Sequence, residues 1–494
     1  MITTWLFIST GLFLGWSLGA NHAVNVFGSA VVSRMVRFNV AAIIAGVFVT
    51  LGAVFSGEGA ARTLNELGAI NALAGCFTVA LAVGVTVTWM TALKLPVSTS
   101  QAVVGGIIGW NLFTGSPTDV ASLTKILSTW VICPALSAAF AYGLYKFLAT
   151  VIRKRKLHVL RLDAYTRAGL IIVGAFASYS LGANNIGNVM GMFVSASPFP
   201  DISLSGVFTV TGTQQLFLAG GIAIAIGIFT YSYRVMLTVG DELFKITPVA
   251  GLVVVLAEAL VLFLFASEGL QAWLIQHSLP AIPLVPLSST QVVIGAVVGV
   301  GLASGGKGIN YKVLGKIASG WVTAPVAACS FCFVGLFIVQ NVFEQKVVTM
   351  NSYRITRGVV TEIQKQGIDA APLATLVGKP FVGAASFRMA LKRQHQWDEN
   401  ALFVIFATAE LDSMRVDSTF LSSRAGDISL SEQQRRAVVA LQGRNFVYRW
   451  QLDQALMQLD DEWKFRTGEG SQFFNKNLKR TYSALYQMFH KSSM

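Results

Sequence analysis

The feature that most restricts the fold is a duplication set in strongly apolar sequence. Ser17-Leu18-Gly19-Ala20-Asn21-His22-Ala23-Val24-Asn25-Val26-Phe27-Gly28 returns as Ser180-Leu181-Gly182-Ala183-Asn184-Asn185-Ile186-Gly187-Asn188-Val189-Met190-Gly191. Leu95-Pro96-Val97-Ser98-Thr99-Ser100-Gln101, with Gly105 and Gly109 after it, returns as Val285-Pro286-Leu287-Ser288-Ser289-Thr290-Gln291, with Gly295 and Gly299. Lys125-Ile126, Trp130-Val131 and Pro134 return as Lys316-Ile317, Trp321-Val322 and Pro325. Three blocks in one order mean a core built twice on the same plan. Apolar runs long enough for a hydrocarbon core of about 30 Å surround the blocks. They read as ten spans: 5–30, 39–55, 69–93, 97–113, 126–149, 169–195, 214–232, 249–267, 281–302 and 317–341. They are apolar all round and rich in Gly and Ala, as closely packed membrane helices are, and too long and too little alternating for barrel strands. The expectation is an all-α polytopic membrane protein of about ten transmembrane helices.

Charge divides the chain and orients it. Residues 1–344 hold 17 Lys/Arg and 10 Asp/Glu, whereas the last 150 hold 20 and 14. A membrane part followed by a soluble one fits that split. The net charge of +13 does not point to nucleic acid, because the positives of the membrane part cluster in short loops. The loop 153–167 carries Arg153, Lys154, Arg155, Lys156, Arg161 and Arg167 against Asp163, which places it in the cytoplasm. Loop 56–68, with Glu58 and Glu66 against Arg62, fits the outside. Five spans per copy is an odd number, so the two copies insert with opposite orientation, as inverted repeats. The division is then 1–150 for the first repeat, 151–168 for the basic connection, 169–344 for the second repeat and 345–494 for the tail. Parity puts the tail outside, but a re-entrant hairpin at 97–113 would reverse it, so its side stays open.

Polar residues in an apolar bundle are costly and tend to face protein or a water-filled path. Here they gather in two places, the Gly-Ala-Asn blocks and the Pro-x-Ser blocks. Glycines 19, 28, 182 and 191 would let the backbone break or meet a ligand closely. Pro96 and Pro286 would interrupt helices, so that Ser98–Ser100 and Ser288–Thr290 open new helix N-termini. Free N–H groups and the positive dipole end suit an anion, and hydroxyls and amides add neutral donors. The alternative is small-residue packing with ordinary Ser/Thr caps; the ordered duplication of both motifs favours a site. Cys76, Cys133, Cys329 and Cys332 lie in apolar stretches without a second Cys or His pair, so packing is the better reading and no metal site is expected.

These motifs, together with Thr238-Val239-Gly240 and Lys245-Ile246-Thr247, resemble the PiT inorganic phosphate transporter family, which includes bacterial sulfate permeases. The likeness covers nearly all of 1–344 and not the tail. It implies a symporter that moves inorganic phosphate, or a related tetrahedral oxyanion, with Na⁺ or H⁺ by alternating access, in an inner or plasma membrane. Carried over by residue, Asn21, Asn25, Asn184 and Asn188 match its asparagines. Ser98, Thr99, Ser100, Ser288, Ser289 and Thr290 match its hydroxyl cluster, with Gln101 and Gln291 standing where the family has histidine. Glu258 matches an intramembrane glutamate. The family's aspartates are replaced by His22 and Asn185, and a second-span glutamate by Val49. A family-type sodium site is thereby put in doubt, and His22, Asn185 and Glu258 become the candidates for ion coupling, with protons as one possibility. Loss of both aspartates also favours sulfate, which carries no proton and wants donors alone; phosphate stays the family default.

The tail looks like a small helical domain. Ser431-x-x-Gln434 resembles a capping box before Arg435–Leu441, with Gly443 as a stop, and Phe446–Trp463 and Leu478–Phe489 have helical apolar spacing. Asp460-Asp461-Glu462 reads as a solvated face. No nucleophile–base pair points to an enzyme. The rival classes are an anion channel on the same core and a membrane receptor signalling through its tail. The expected partners are phosphate or sulfate, lipid and a second copy in a homo-oligomer, with no cofactor beyond the coupling ion.

Overall fold

The structure is a computed structural model that describes residues 2–92, 97–155, 158–204, 208–236, 247–277, 279–305, 311–418, 430–467 and 471–491. The Thr238–Gly240 and Lys245–Ile246 segment of the family likeness, and Leu95-Pro96, lie outside those residues. The first copy contains α1 (Ile2–Val32), α2 (Phe38–Ser56), α3 (Glu58–Leu67), α4 (Leu73–Ala92), α5 (Thr99–Thr114) and α6 (Val120–Arg155). The second contains α7 (Val159–Met190), α8 (Gly212–Thr230), α9 (Pro248–Ala266), α10 (Glu268–Gln276), α11 (Ser289–Ala303) and α12 (Tyr311–Asn341). A short antiparallel pair, β1 (Ile202–Leu204) with β2 (Phe208–Val210), joins α7 to α8.

Among the described residues, seven helices are long and apolar enough to cross a membrane. Three expected spans fall outside that set: α1, which at 31 residues is long enough to cross, and α5 and α11, which are short. At 1.5 Å per residue, α5 and α11 extend only ~24 and ~22 Å, short of a ~30 Å hydrocarbon core. Both begin inside the protein rather than at its edge. Ser98 caps α5 by accepting from the Gln101 backbone N–H, and Ser288 caps α11 by accepting from that of Gln291, as the Pro-x-Ser reading expects.

The glycines decide how the two copies interlock. Cβ atoms on Gly105 and Gly109 would meet the carbonyls of Pro325 and Cys329, so α5 lies against α12, parallel and in register. Gly295 and Gly299 meet the carbonyls of Pro134 and Ala138 in the same way, so α11 lies along α6. Gly19 and Gly227 join α1 to α8, and Gly182 and Gly52 join α7 to α2. Each contact thus has a partner in the other copy. Gly19 and Gly182 themselves are helical, inside unbroken α1 and α7. A Cβ there would fall 2.0 Å from the backbone oxygens of Ile224 and Val49. Their role is close helix crossing rather than a backbone break or ligand approach.

Beyond α12 the chain builds two further apolar cores. One gathers Tyr353, Ile355, Phe387, Leu391, Ile405 and Phe406; the other gathers Met414, Leu452, Leu456, Trp463, Leu485 and Phe489. The helices are α13 (Arg357–Lys365), α14 (Ala384–Gln394), α15 (Glu399–Ala409), α16 (Glu432–Ala440), α17 (Arg449–Leu459) and α18 (Ser471–Lys491). Ser431 and Gln434 form both bonds of the capping box, and Gly443 takes φ +76°. Two small antiparallel pairs, β3 (Ser352–Arg354) with β4 (Pro380–Val382) and β5 (Met414–Arg415) with β6 (Asn445–Phe446), add to the helices.

Candidate functional site

The N-termini of α5 and α11 meet against α7. The Asn184 side chain clasps Leu287, accepting from its backbone N–H at 2.7 Å and donating to its carbonyl at 2.9 Å. That peptide directly precedes the α11 cap, so α7 holds the start of the half-helix in place. Ser100, in the first turn of α5, donates to the same carbonyl at 2.8 Å, and Thr290 reaches back to the Val97 carbonyl at 3.4 Å. The two half-helices are therefore stitched together at their positive ends. Asn188 donates to Ser100 Oγ at 2.7 Å and to Asn185 Oδ1 at 3.2 Å, while Asn185 donates to the Leu181 carbonyl of its own helix. From the other side, His22 Nδ1 of α1 bonds Ser289 Oγ at 2.7 Å.

The structure thus brings together Ser100, Asn184, Asn185, Asn188 and Thr290, and joins His22 to Ser289. Ser98 and Ser288 serve as caps, and Thr99 is buried in the first turn of α5. Asn25 is buried, and Asn21 is half-buried without a side-chain hydrogen bond. Glu258 is fully buried on α9, and neither carboxylate oxygen has a hydrogen-bond partner. Gly251, two turns before it, abuts Ser29, two turns after His22.

Several buried polar atoms have no partner, which is expensive unless something else meets them. They include both amide atoms of Gln101, Nε2 of Gln291 and Oδ1 of Asn188. The Asn188 orientation follows from its network, because Asn185 must spend its amide on Leu181 and offers only its oxygen. The indole N–H groups of Trp130 and Trp321 are also orphaned. The glycine register places them: one turn before Gly295 and Pro134 stand Gln291 and Trp130, and one turn before Gly105 and Pro325 stand Gln101 and Trp321. Each half-helix therefore carries a glutamine level with a tryptophan of the long helix beside it. Both tryptophans were visible in the sequence only as repeat markers. Their pairing across copies, with glutamine on a different block, was the signal that spacing alone does not give.

Among the described residues no group of three or more His, Cys, Asp or Glu forms a metal cluster. The free cysteines all lie in the apolar helices, and Cys76 Sγ contacts the Met192 carbonyl.

Comparison with known proteins gives one consistent picture. A family model described as the phosphate transporter family matches residues 18–329 and 282–437, so the likeness runs past residue 344 into the tail, beyond where the motifs ended it. A Thermococcus kodakarensis protein provisionally named a phosphate permease is 26% identical over 415 residues, covering 68% of this chain and 98% of its own. A Haemophilus influenzae protein of the same provisional name is 22% identical, covering 69% and 97%. Among solved structures, one titled "The sodium-dependent phosphate transporter" aligns with a TM-score of 0.55 at 22% identity, over 69% of this chain and 99% of that one. At that identity the likeness speaks for the fold.

Proposed function

The chain belongs to the phosphate transporter family, an integral membrane transporter and not an enzyme, and from that membership we propose that it is a secondary symporter for inorganic phosphate. The observation that carries the reading is the meeting of two capped half-helix N-termini, α5 and α11, among buried neutral donors. Such termini favour an oxyanion by dipole and free N–H groups, and neutral donors hold it without trapping it. In this reading the two copies are inverted repeats whose motion opens the site alternately to each face of an inner or plasma membrane. Ser98–Gln101, Ser288–Gln291, Asn21, Asn25, Asn184 and Asn188 form the anion site, with Trp130 and Trp321 as further donors.

Sulfate is the second reading, favoured by His22 and Asn185 at the positions where the family carries aspartate. The orphaned atoms weigh on the other side. Asn188 Oδ1 and Gln101 Oε1 are free acceptors beside free donors, and a hydrogen phosphate has an O–H to give where sulfate has none. Coupling falls to His22 and Glu258, with protons preferred over Na⁺ because Glu258 is the lone carboxylate carried over from the family pattern.

Uptake of radiolabelled phosphate and sulfate into proteoliposomes, under separate Na⁺ and H⁺ gradients, tests the reading. Phosphate accumulating above its equilibrium level with an imposed proton gradient is the expected result. Accumulation of neither anion under either gradient overturns symport. Flux that only equilibrates indicates a channel.

A further inference from the structure

The ends of the bundle differ in charge. α1 runs from the end bearing the Trp5–Phe199 contact to the turn holding Arg34 and Arg37. α8 runs beside α1 (Gly15 against Gly220, Gly19 against Ile224) and α7 beside α2 (Gly52 against Tyr179, Gly57 against Ile186) in the same direction, and α6 ends where α7 begins, so that Arg153, Lys154, Arg155, Arg161 and Arg234 fall at that same turn end. Glu58, Glu66, Asp119, Asp201 and Glu268, with Arg62 and Lys125, fall at the opposite end. The described residues beyond 344 dock on the second end, against residues 71–75, 110–116 and 268–271. Since basic connections stay in the cytoplasm, that face is the outer one.

The docking reaches both half-helices of the anion site. Arg388, paired with Glu399, donates to the carbonyls of Gly115 and Ser116 at the C-terminal end of α5, where a cation suits the dipole. Nearby, Asn71 and Thr349 exchange three hydrogen bonds, and Trp110 donates to the Val347 carbonyl. At the other side Arg480 pairs with Glu268 at 2.6 Å, and Lys476 donates to Gln271. Gln271 in turn donates to the Ile282 carbonyl, in the extended segment that leads to the cap of α11. This second attachment is incomplete. Glu268 Oε1 and Arg480 Nε are buried without partners, so the pair makes one bond where a guanidinium fork can make two. Lys476 is half-buried beside Arg480 and Arg62, and burial with those like charges holds its ammonium below the ordinary lysine range.

We propose that residues 345–491 form an extracytoplasmic brace that ties the outer ends of both half-helices, with Arg388 fixing α5 and with Arg480 and Lys476 holding α10 by a latch that must part for the outer side to open. The chemistry of the two attachments sets the order: the α5 side has several neutral bonds and a buried valine, whereas the α10 side rests on an imperfect ion pair. Arg480 is then a positioning residue for transport, acting through α10. This step rests on the alternating-access reading, so its tests include two that need no transport.

A cysteine at exposed Met389 should react with a membrane-impermeant maleimide in right-side-out vesicles, and one at Arg153 only in inside-out vesicles. Labelling of Met389→Cys only from the cytoplasmic side overturns the placement. In full-length protein in nanodiscs, Arg480→Gln should speed hydrogen exchange across 268–288 about two- to fivefold, the size expected of one partly exposed ion pair, while Arg480→Lys should not. Faster exchange confined to α18 overturns the latch. In proteoliposomes Arg480→Gln should tighten the apparent affinity for external inorganic phosphate by a similar factor, because more molecules stand open. Unchanged or weaker affinity counts against the brace. Absence of uptake by the unmodified chain overturns the symporter reading instead, and the labelling and exchange results still decide the brace.

Discussion

Asn184 is where a single side chain most directly controls the geometry of the proposed anion site, and Asn184→Leu removes its hydrogen bonds while keeping the number of heavy atoms. The substitution takes the Leu287 N–H from a 2.7 Å bond to no partner in a buried site. An orphaned donor of that kind costs about 1–3 kcal/mol. The Leu287 carbonyl loses its 2.9 Å bond but keeps the Ser100 hydroxyl at 2.8 Å, so this loss is the ordinary net value of about 1 kcal/mol. Together the change weakens the start of α11 by about 2–4 kcal/mol. At 1.4 kcal/mol per tenfold, that lowers the population of the competent half-helix by about 30- to 1,000-fold if the loss stays local. Asn21 occupies the matching position of the first copy, is half-buried and holds no bond, so Asn21→Leu should raise KM for phosphate while leaving the melting temperature unchanged. Proteoliposome uptake at equal protein load, with thermal melting of the same preparations, checks both. Asn184→Leu that melts like the unmodified chain and transports within threefold of it refutes the reasoning. So does an Asn21→Leu that loses as much stability as Asn184→Leu.

Three other expectations follow from the same geometry. Gly295→Ala sets a Cβ 2.1 Å from the Pro134 carbonyl, more than 1 Å inside contact, and neither backbone can yield locally. Overpacking by about 1–3 kcal/mol and a loss of uptake are expected, matched by Gly105→Ala against Pro325, whereas Gly143→Ala, with open space around it, should be tolerated. Trp130→Phe and Trp321→Phe remove the orphaned N–H together with part of the indole ring, and should raise KM for phosphate in uptake at a stability cost of about 1–2 kcal/mol, smaller than the KM effect predicts if the N–H binds the anion. In the C-terminal region, burial pushes the Asp453 carboxyl up to about 6, against the Tyr486 hydrogen bond and the Arg449 charge that favour ionisation, with Glu362 nearby raising it further. The native state then holds a proton that the unfolded chain has released, so stability falls as pH rises from about 4 to 6 and stays low above that. Asp453→Asn should therefore stabilise this region at pH 7 by up to about 3 kcal/mol and by nothing at pH 3, measured by hydrogen exchange in α17 and α18.

What was legible in the sequence was whatever the duplication repeated as identical letters. The Ser98 and Ser288 caps and the meeting of the two hydroxyl blocks follow from motifs in which residue type nearly dictates the bond, whereas the Asn184 and Asn188 contacts do not, since Asn21 carries the same letter and holds no bond. The start of α11 was not legible from hydropathy, because the extended approach at 279–287 is as apolar as the helix and the run 281–302 took in both, whereas the run 97–113 lies within two residues of α5. The role of Gly19 and Gly182 was misread for a related reason. A glycine in a polar motif suggests ligand approach, but the oxygens it admits belong to Ile224 and Val49 on helices far away in sequence. The strands of the C-terminal region, two or three residues each, are too brief for alternation to mark.

The two copies pack symmetrically but bond asymmetrically, and this difference bears on coupling. Gly105 with Pro325 mirrors Gly295 with Pro134, since backbone packing uses residues that both copies retain. His22 reaches across to Ser289, whereas Asn185, at the matching position, turns to its own helix. Glu258 has no acidic counterpart anywhere in α4. His22 and Glu258 each occur in one copy alone, which makes them the candidates for the proposed coupling. They sit on α1 and α9, which run antiparallel past each other at Ser29 and Gly251, and seven residues along each helix from that contact brings both to one level. His22→Gln keeps a hydrogen-bonding partner for Ser289 while removing the proton site. Phosphate counterflow without a gradient should continue, and accumulation driven by a pH gradient should be lost. Full retention of pH-driven accumulation by His22→Gln would show that the histidine is only a structural link between α1 and α11.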